Sequence, residues 1–144
     1  MTPFYATAED AEEAFYEAIA RADLDALMVV WSEDEDIVCI HPTGQRLSGH
    51  SAVRESWRII FENNQRFRVH LKQSARWKGV LHAVHSVVEM LYLGDDSTPH
   101  GPMLSTNVYQ RGANGWRLLM RHTSAGTDIV EEDDIQGPTK HTLH

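Results

Sequence analysis

Residues 103–124, MLSTNVYQRGANGWRLLMRHTS, decide the fold. They read as two β-strands, Met103–Arg111 and Trp116–Ser124, joined by a hairpin turn over Gly112-Ala-Asn-Gly115. Side chains in a strand alternate between faces, so Tyr109 shares the face of Asn107, and Arg121 and His122 face opposite ways. Upstream, residues 94–102 hold two glycines, two prolines and two aspartates and read as a loop. Before it, Val80–Leu93 is apolar on both faces, with Val84, Val88 and Met90 against Leu81, Val87 and Leu91, as expected for a strand covered on both sides. Residues 66–78 change to a period of two. Phe67, Val69, Leu71, Ala75 and Trp77 form the buried face, and Arg66, Arg68, His70, Lys72, Ser74, Arg76 and Lys78 the solvated basic one.

The first third of the chain has a helical rhythm. Thr7 is an N-cap, with Asp10 completing a weak capping box before Ala11, Phe15, Ala18, Ile19 and Ala22. Glu9, Glu12, Glu13 and Glu17 take the wet side. Asp23 caps a shorter helix through Leu24, Leu27, Met28 and Trp31, and the acidic run Ser32–Asp36 ends it. Ile37–Ile40 is a short buried strand stopping at His41-Pro42, because the residue before proline is held extended. Gln45–Leu47 pairs briefly. A third helix carries Val53, Trp57, Ile60 and Phe61 on one stripe. Helices followed by a run of long antiparallel strands define an α+β fold, a curved sheet wrapped on three N-terminal helices. Where such a sheet is wider than its helices can fill, a pocket remains.

Composition limits the function. The chain has 144 residues, enough for one core, and a net charge of -8, which disfavours a nucleic-acid partner. Its single cysteine, Cys39, excludes an intrachain disulfide and a four-cysteine zinc site. No apolar run is long enough to span a membrane, and a cytoplasmic protein with no membrane partner is expected. Residues 1–125 are expected to form one domain and 126–144 a largely disordered acidic extension.

Phe15-Tyr16, Ala22-Asp23-Leu24-Asp25-Ala26-Leu27, Trp31, His41-Pro42, Leu47-x-Gly49, Val53, Trp57 and the hairpin Asn107-Val-Tyr-Gln-Arg…Gly115-Trp116-Arg117 stand in an order that resembles the nuclear transport factor 2-like superfamily, in its SnoaL-like branch. The resemblance covers roughly residues 8 to 125. It implies a cystatin-like cone, an apolar pocket and a homodimer through the outer sheet face. Within that superfamily the chain resembles the steroid isomerases. Their pocket tyrosine matches Tyr16, their general-base aspartate matches His41, and their protonated acid on the penultimate strand matches Asn107. Histidine keeps a base with a reference pKa near 6.5, and asparagine keeps a hydrogen-bond donor.

The expected catalytic set is therefore His41, Asn107 and Tyr16, with Trp31, Trp57, Tyr109 and His122 as pocket walls. Each also has a plainer reading. His41 can bond a neighbouring carbonyl at a strand end, and Tyr16 can simply pack with its hydroxyl in water. Asn107 can face a dimer interface or solvent, and the tryptophans can be core. His82 and His85, three apart in a strand, fall on opposite faces, so no metal site and no cofactor are expected. Three functions fit: a pocket that binds a small apolar carbonyl compound and performs cofactor-free isomerase or lyase chemistry, a non-catalytic ligand-binding or dimerisation module, and a structural cone filled by its own side chains.

Overall fold

The computed structural model describes residues 2–127, so most of the acidic extension expected over 126–144 lies outside the described residues. Three helices, α1 (Ala8–Arg21), α2 (Leu24–Val30) and α3 (His50–Asn63), pack on a six-stranded sheet. The strands are β1 (Val38–Ile40), β2 (Arg46–Ser48), β3 (Phe67–Lys78), β4 (His82–Leu93), β5 (Pro99–Gly112) and β6 (Gly115–Ala125). Their order is β2-β1-β6-β5-β4-β3. Only β1 against β6 is parallel; the other neighbours are antiparallel. This is the α+β cone that the resemblance implies.

Local chemistry sets the helix starts. Thr7 accepts the Asp10 amide at 3.0 Å and Asp23 accepts the Ala26 amide at 3.0 Å. Each cap satisfies one of the orphan donors of its first turn and stabilises its helix by about 1 kcal/mol. Between the two helices Ala22 closes α1 in the left-handed region, its amide bonding back to α1 carbonyls. Phe15 is fully buried at the centre of an aromatic cluster, edge-on to Tyr16, Trp31 and Trp57 at 5.2, 6.3 and 5.8 Å. Burying each such side chain stabilises the fold by roughly 1.5–3 kcal/mol, and edge contacts add to that.

Arg117 ties three segments together. It donates to the Val29, Pro3 and Asn114 carbonyls and lies over the Tyr5 ring at 5.0 Å. Among the described residues no helix is long and apolar enough to cross a membrane.

Four expectations are corrected. The strand β5 starts at Pro99, so the loop read over 94–102 is shorter. On α1, Glu12 is not on the wet side but buried. The inner face of β4 is not apolar, since His85 and Glu89 are both buried on it. In β3 the alternation breaks between Lys72 and Ala75, where an extra residue bulges and Gln73 takes φ 47. A bulge exchanges the faces of everything beyond it. Trp77 is therefore 60% exposed on the outside, and Arg76 turns in toward Glu12.

Candidate functional site

The concave face of the sheet carries a row of side chains in register: Arg76 opposite His85, His85 opposite Asn107, Asn107 opposite Arg121, Arg121 opposite Cys39. Above this row α1 presents Glu9, Glu12 and Tyr16, spaced three and four apart and so on one face. Arg121 comes inward because β6 bulges at the Val108–Tyr109 pairing; without that shift the face of Leu118 would carry His122 instead. His122 is exposed on the outer surface, so it is not a pocket wall.

Arg121 and Glu89, both nearly inaccessible, form an ion pair. Arg121 Nη1 lies 2.7 Å from Glu89 Oε2 and Nη2 lies 3.1 Å from Oε1. The Tyr16 hydroxyl donates to Glu89 Oε2 at 2.5 Å and accepts from the Asn107 amide at 2.9 Å. Arg121 Nη1 also reaches Asn107 Oδ1 and the Tyr16 hydroxyl, each at 3.2 Å. Burial alone would raise the Glu89 pKa, but the Arg121 charge and the bonds from Arg121 and Tyr16 outweigh it and hold Glu89 below the usual carboxylate range. Burial, joined by the Glu89 charge, lifts the Tyr16 hydroxyl far above its ordinary pKa, so Tyr16 keeps its proton. Among the described residues, Arg121 Nε makes no hydrogen bond. The guanidinium lies over Phe15, Tyr16 and Trp57 at 5.2, 5.9 and 6.0 Å.

Beside this network lies a cavity of about 170 Å³. Ile19, Trp57, Ile60, Phe67, Val69, Leu91 and Met103 give it apolar walls, while His41, Glu89, Arg121 and Thr123 supply its polar groups. The cone is therefore not filled by its own side chains. His41 Nε2 is 2.9 Å from Ser56 Oγ, and its ring meets Trp57 edge-on at 5.4 Å. Burial and then the Arg121 charge lower the His41 pKa below 6.5, so its imidazole is neutral at pH 7. Burial pushes the Cys39 thiol, 3.7 Å from His41 Nε2, up to about 11, which keeps it protonated and inert.

Of the expected residues, His41 and Trp57 line the cavity. Tyr16 and Asn107 do not reach it. They stand behind Glu89 and Arg121, bonded to them. Trp31 and Tyr109 are core, 2% and 0% exposed, and neither lines the cavity. Sequence reading missed Glu89 and Arg121. The available signal was the lone acid of an apolar strand and one of the two arginines, Arg117 and Arg121, of the last one, since a buried charge needs a partner.

A second buried cluster sits further along the row. Glu12 is bonded to Arg76 at 2.6 Å and to His85 Nδ1 at 2.9 Å, and His85 packs on Tyr109 at 4.8 Å. Among the described residues no group of three histidine, cysteine or acidic side chains is arranged to hold a metal ion.

A model of the SnoaL-like domain matches residues 8–128. A candidate calcium/calmodulin-dependent protein kinase type II association domain from Thiobacillus denitrificans is 39% identical, with a TM-score of 0.82 over 87% of this chain and 99% of that one. A candidate dehydratase of the nuclear transport factor 2-like family from Streptomyces avermitilis is 25% identical, with a TM-score of 0.74 over 84% of this chain and 94% of that one. The F-box protein SKIP8 of Arabidopsis thaliana is 30% identical over 112 residues, 76% of this chain. The match spans about half, 46%, of that relative's length.

Proposed function

We propose that this chain, which belongs to the SnoaL-like domain family of the nuclear transport factor 2-like superfamily, binds a one-ring, mainly apolar carbonyl compound and moves a proton beside that carbonyl without a cofactor. One observation carries the reading: a neutral, half-buried histidine and a buried guanidinium share a cavity whose other walls are largely apolar. A neutral imidazole can take a proton from the carbon next to a carbonyl. The Arg121 charge, almost wholly enclosed by protein, stabilises the negative oxygen that develops. Glu89, Tyr16 and Asn107 hold Arg121 in place, so their role is positioning.

Size narrows the ligand. A cavity of about 150 Å³ takes benzene, and pockets for drug-sized molecules run to roughly 300–1,000 Å³. At about 170 Å³ this cavity suits a single ring. The name of the Streptomyces neighbour, a candidate dehydratase, supports the lyase side of the reading.

Cyclohexanone is a direct probe. Titrated into labelled protein and followed by NMR, it is expected to give saturable shifts at His41, Trp57 and Thr123, together with a change in the Arg121 Nε–H signal. Methylcyclohexane, which has no carbonyl, should leave the Arg121 signal unmoved. If cyclohexanone gives no saturable shift at these residues, the reading fails.

A second reading, assembly, has its own observation. Trp77, Val80, Leu81 and Leu104 are 60, 78, 57 and 44% exposed, unusual for large apolar groups. The Thiobacillus neighbour is named as an association domain. A homodimer covering the outer sheet face fits both, and sedimentation of the wild type against Leu104→Glu tests it: the dimer should be lost in the variant.

A further inference from the structure

The Ser56 hydroxyl has one hydrogen and two neighbours. Its Oγ stands 2.7 Å from the Val53 carbonyl and 2.9 Å from His41 Nε2. A carbonyl can only accept, whereas an imidazole nitrogen can do either. One assignment satisfies both contacts. The Ser56 hydrogen goes to Val53, a bond one helical turn back that serines and threonines in helices commonly make. Ser56 Oγ must then accept from His41, whose proton sits on Nε2. The Cys39 sulfur, 3.7 Å from the same nitrogen, stands as a weak second acceptor. That leaves Nδ1 with the lone pair and, among the described residues, no hydrogen-bond partner.

We infer that Ser56 is a positioning residue: by holding the neutral His41 ring in its Nε2–H form, it makes Nδ1 the nitrogen that accepts the substrate proton. This deepens the proposed function and rests on it for the role of Nδ1, but the tautomer itself is read without any ligand. Which ring nitrogen carries the proton is set by the bond that the other one makes, and a base in the wrong tautomer offers a hydrogen where a lone pair is needed.

The test is nitrogen NMR of imidazole-labelled protein at a pH where His41 is neutral, its signals assigned by their loss in His41→Gln. Wild type should show a protonated Nε2 and an unprotonated Nδ1. Ser56→Ala should lose that preference and show a mixture of tautomers, and Ser56→Thr, which keeps the hydroxyl and its bond to Val53, should restore it. A wild-type ring protonated on Nδ1, or a Ser56→Ala variant with an unchanged tautomer, overturns the inference. Cyclohexanone binding is measured separately, so its failure would sink the functional reading and leave the tautomer result standing.

Discussion

Arg121 and Glu89 meet across two strands, Nη1 to Oε2 at 2.7 Å, with neither side chain more than 6% exposed. A pair removed from water to this degree is stable only when further hydrogen bonds support it. Tyr16 and Asn107 are those partners. Removing one charge leaves the other buried and uncompensated. Arg121→Met and Glu89→Leu should each lower stability by about 3–5 kcal/mol, and the double variant by less than the sum. Denaturant unfolding of the four proteins in the cycle measures the coupling. Additive losses would mean that the two charges do not act as a pair.

Tyr16→Phe should cost about 1–3 kcal/mol, because it leaves Glu89 Oε2 and the Asn107 amide each short of a partner while the ring packing survives. Thermal melts give the loss. It should exceed that of Tyr5→Phe, whose half-buried ring lies under Arg117.

Acid should destabilise this fold in two stages. Burial and the Arg121 charge depress the His41 pKa, so the folded state resists a proton that the unfolded chain accepts. Stability is then highest above 6.5 and falls as pH drops through that value toward the folded pKa. Glu12 and Glu89 are also depressed, against the opposing effect of burial, by Arg76 with His85 and by Arg121 respectively. Their contribution is complete above 4.5 and is lost as pH falls further. Stability measured against pH in wild type and His41→Gln should diverge only in the upper window, where the variant holds level.

Gly115 has φ 88, and a Cβ placed on it would stand 2.5 Å from the Tyr5 carbonyl oxygen. That oxygen is backbone and accepts the Trp116 amide, so it cannot step aside cheaply. Gly115→Ala should therefore cost more than the 1–2 kcal/mol of left-handed strain alone. Gln73→Gly is its converse. Glycine suits φ 47 at the β3 bulge and should leave stability unchanged or raise it by up to about 1 kcal/mol. In unfolding midpoints, Gly115→Ala should fall well below the wild type, and Gln73→Gly should hold level or rise.

Periodicity revealed the helices and the succession of strands along the chain, because caps such as Thr7 and Asp23 and the apolar stripe of α3 act locally. It failed where a bulge changes the face. A strict alternation sends Trp77 in and Arg76 out, and pairs the face of Leu118 with His122. One extra residue in each strand reverses both; in β3 the polar run Lys72-Gln73-Ser74 marks the break, whereas β6 carries no such mark. The resemblance led to Tyr16, His41 and Asn107. Yet Tyr16 and Asn107 serve Glu89 and Arg121, whose partnership spans 32 residues of chain and is invisible to any local pattern.

The central claim is that His41 accepts a proton from a ketone held against Arg121. Exchange of the α-hydrogens of cyclohexanone for deuterium, followed by proton NMR in deuterated buffer, tests it most directly. Wild type is expected to accelerate the exchange over buffer, and His41→Gln to fall back to the buffer rate with cyclohexanone still bound. Equal rates in the two proteins would contradict it.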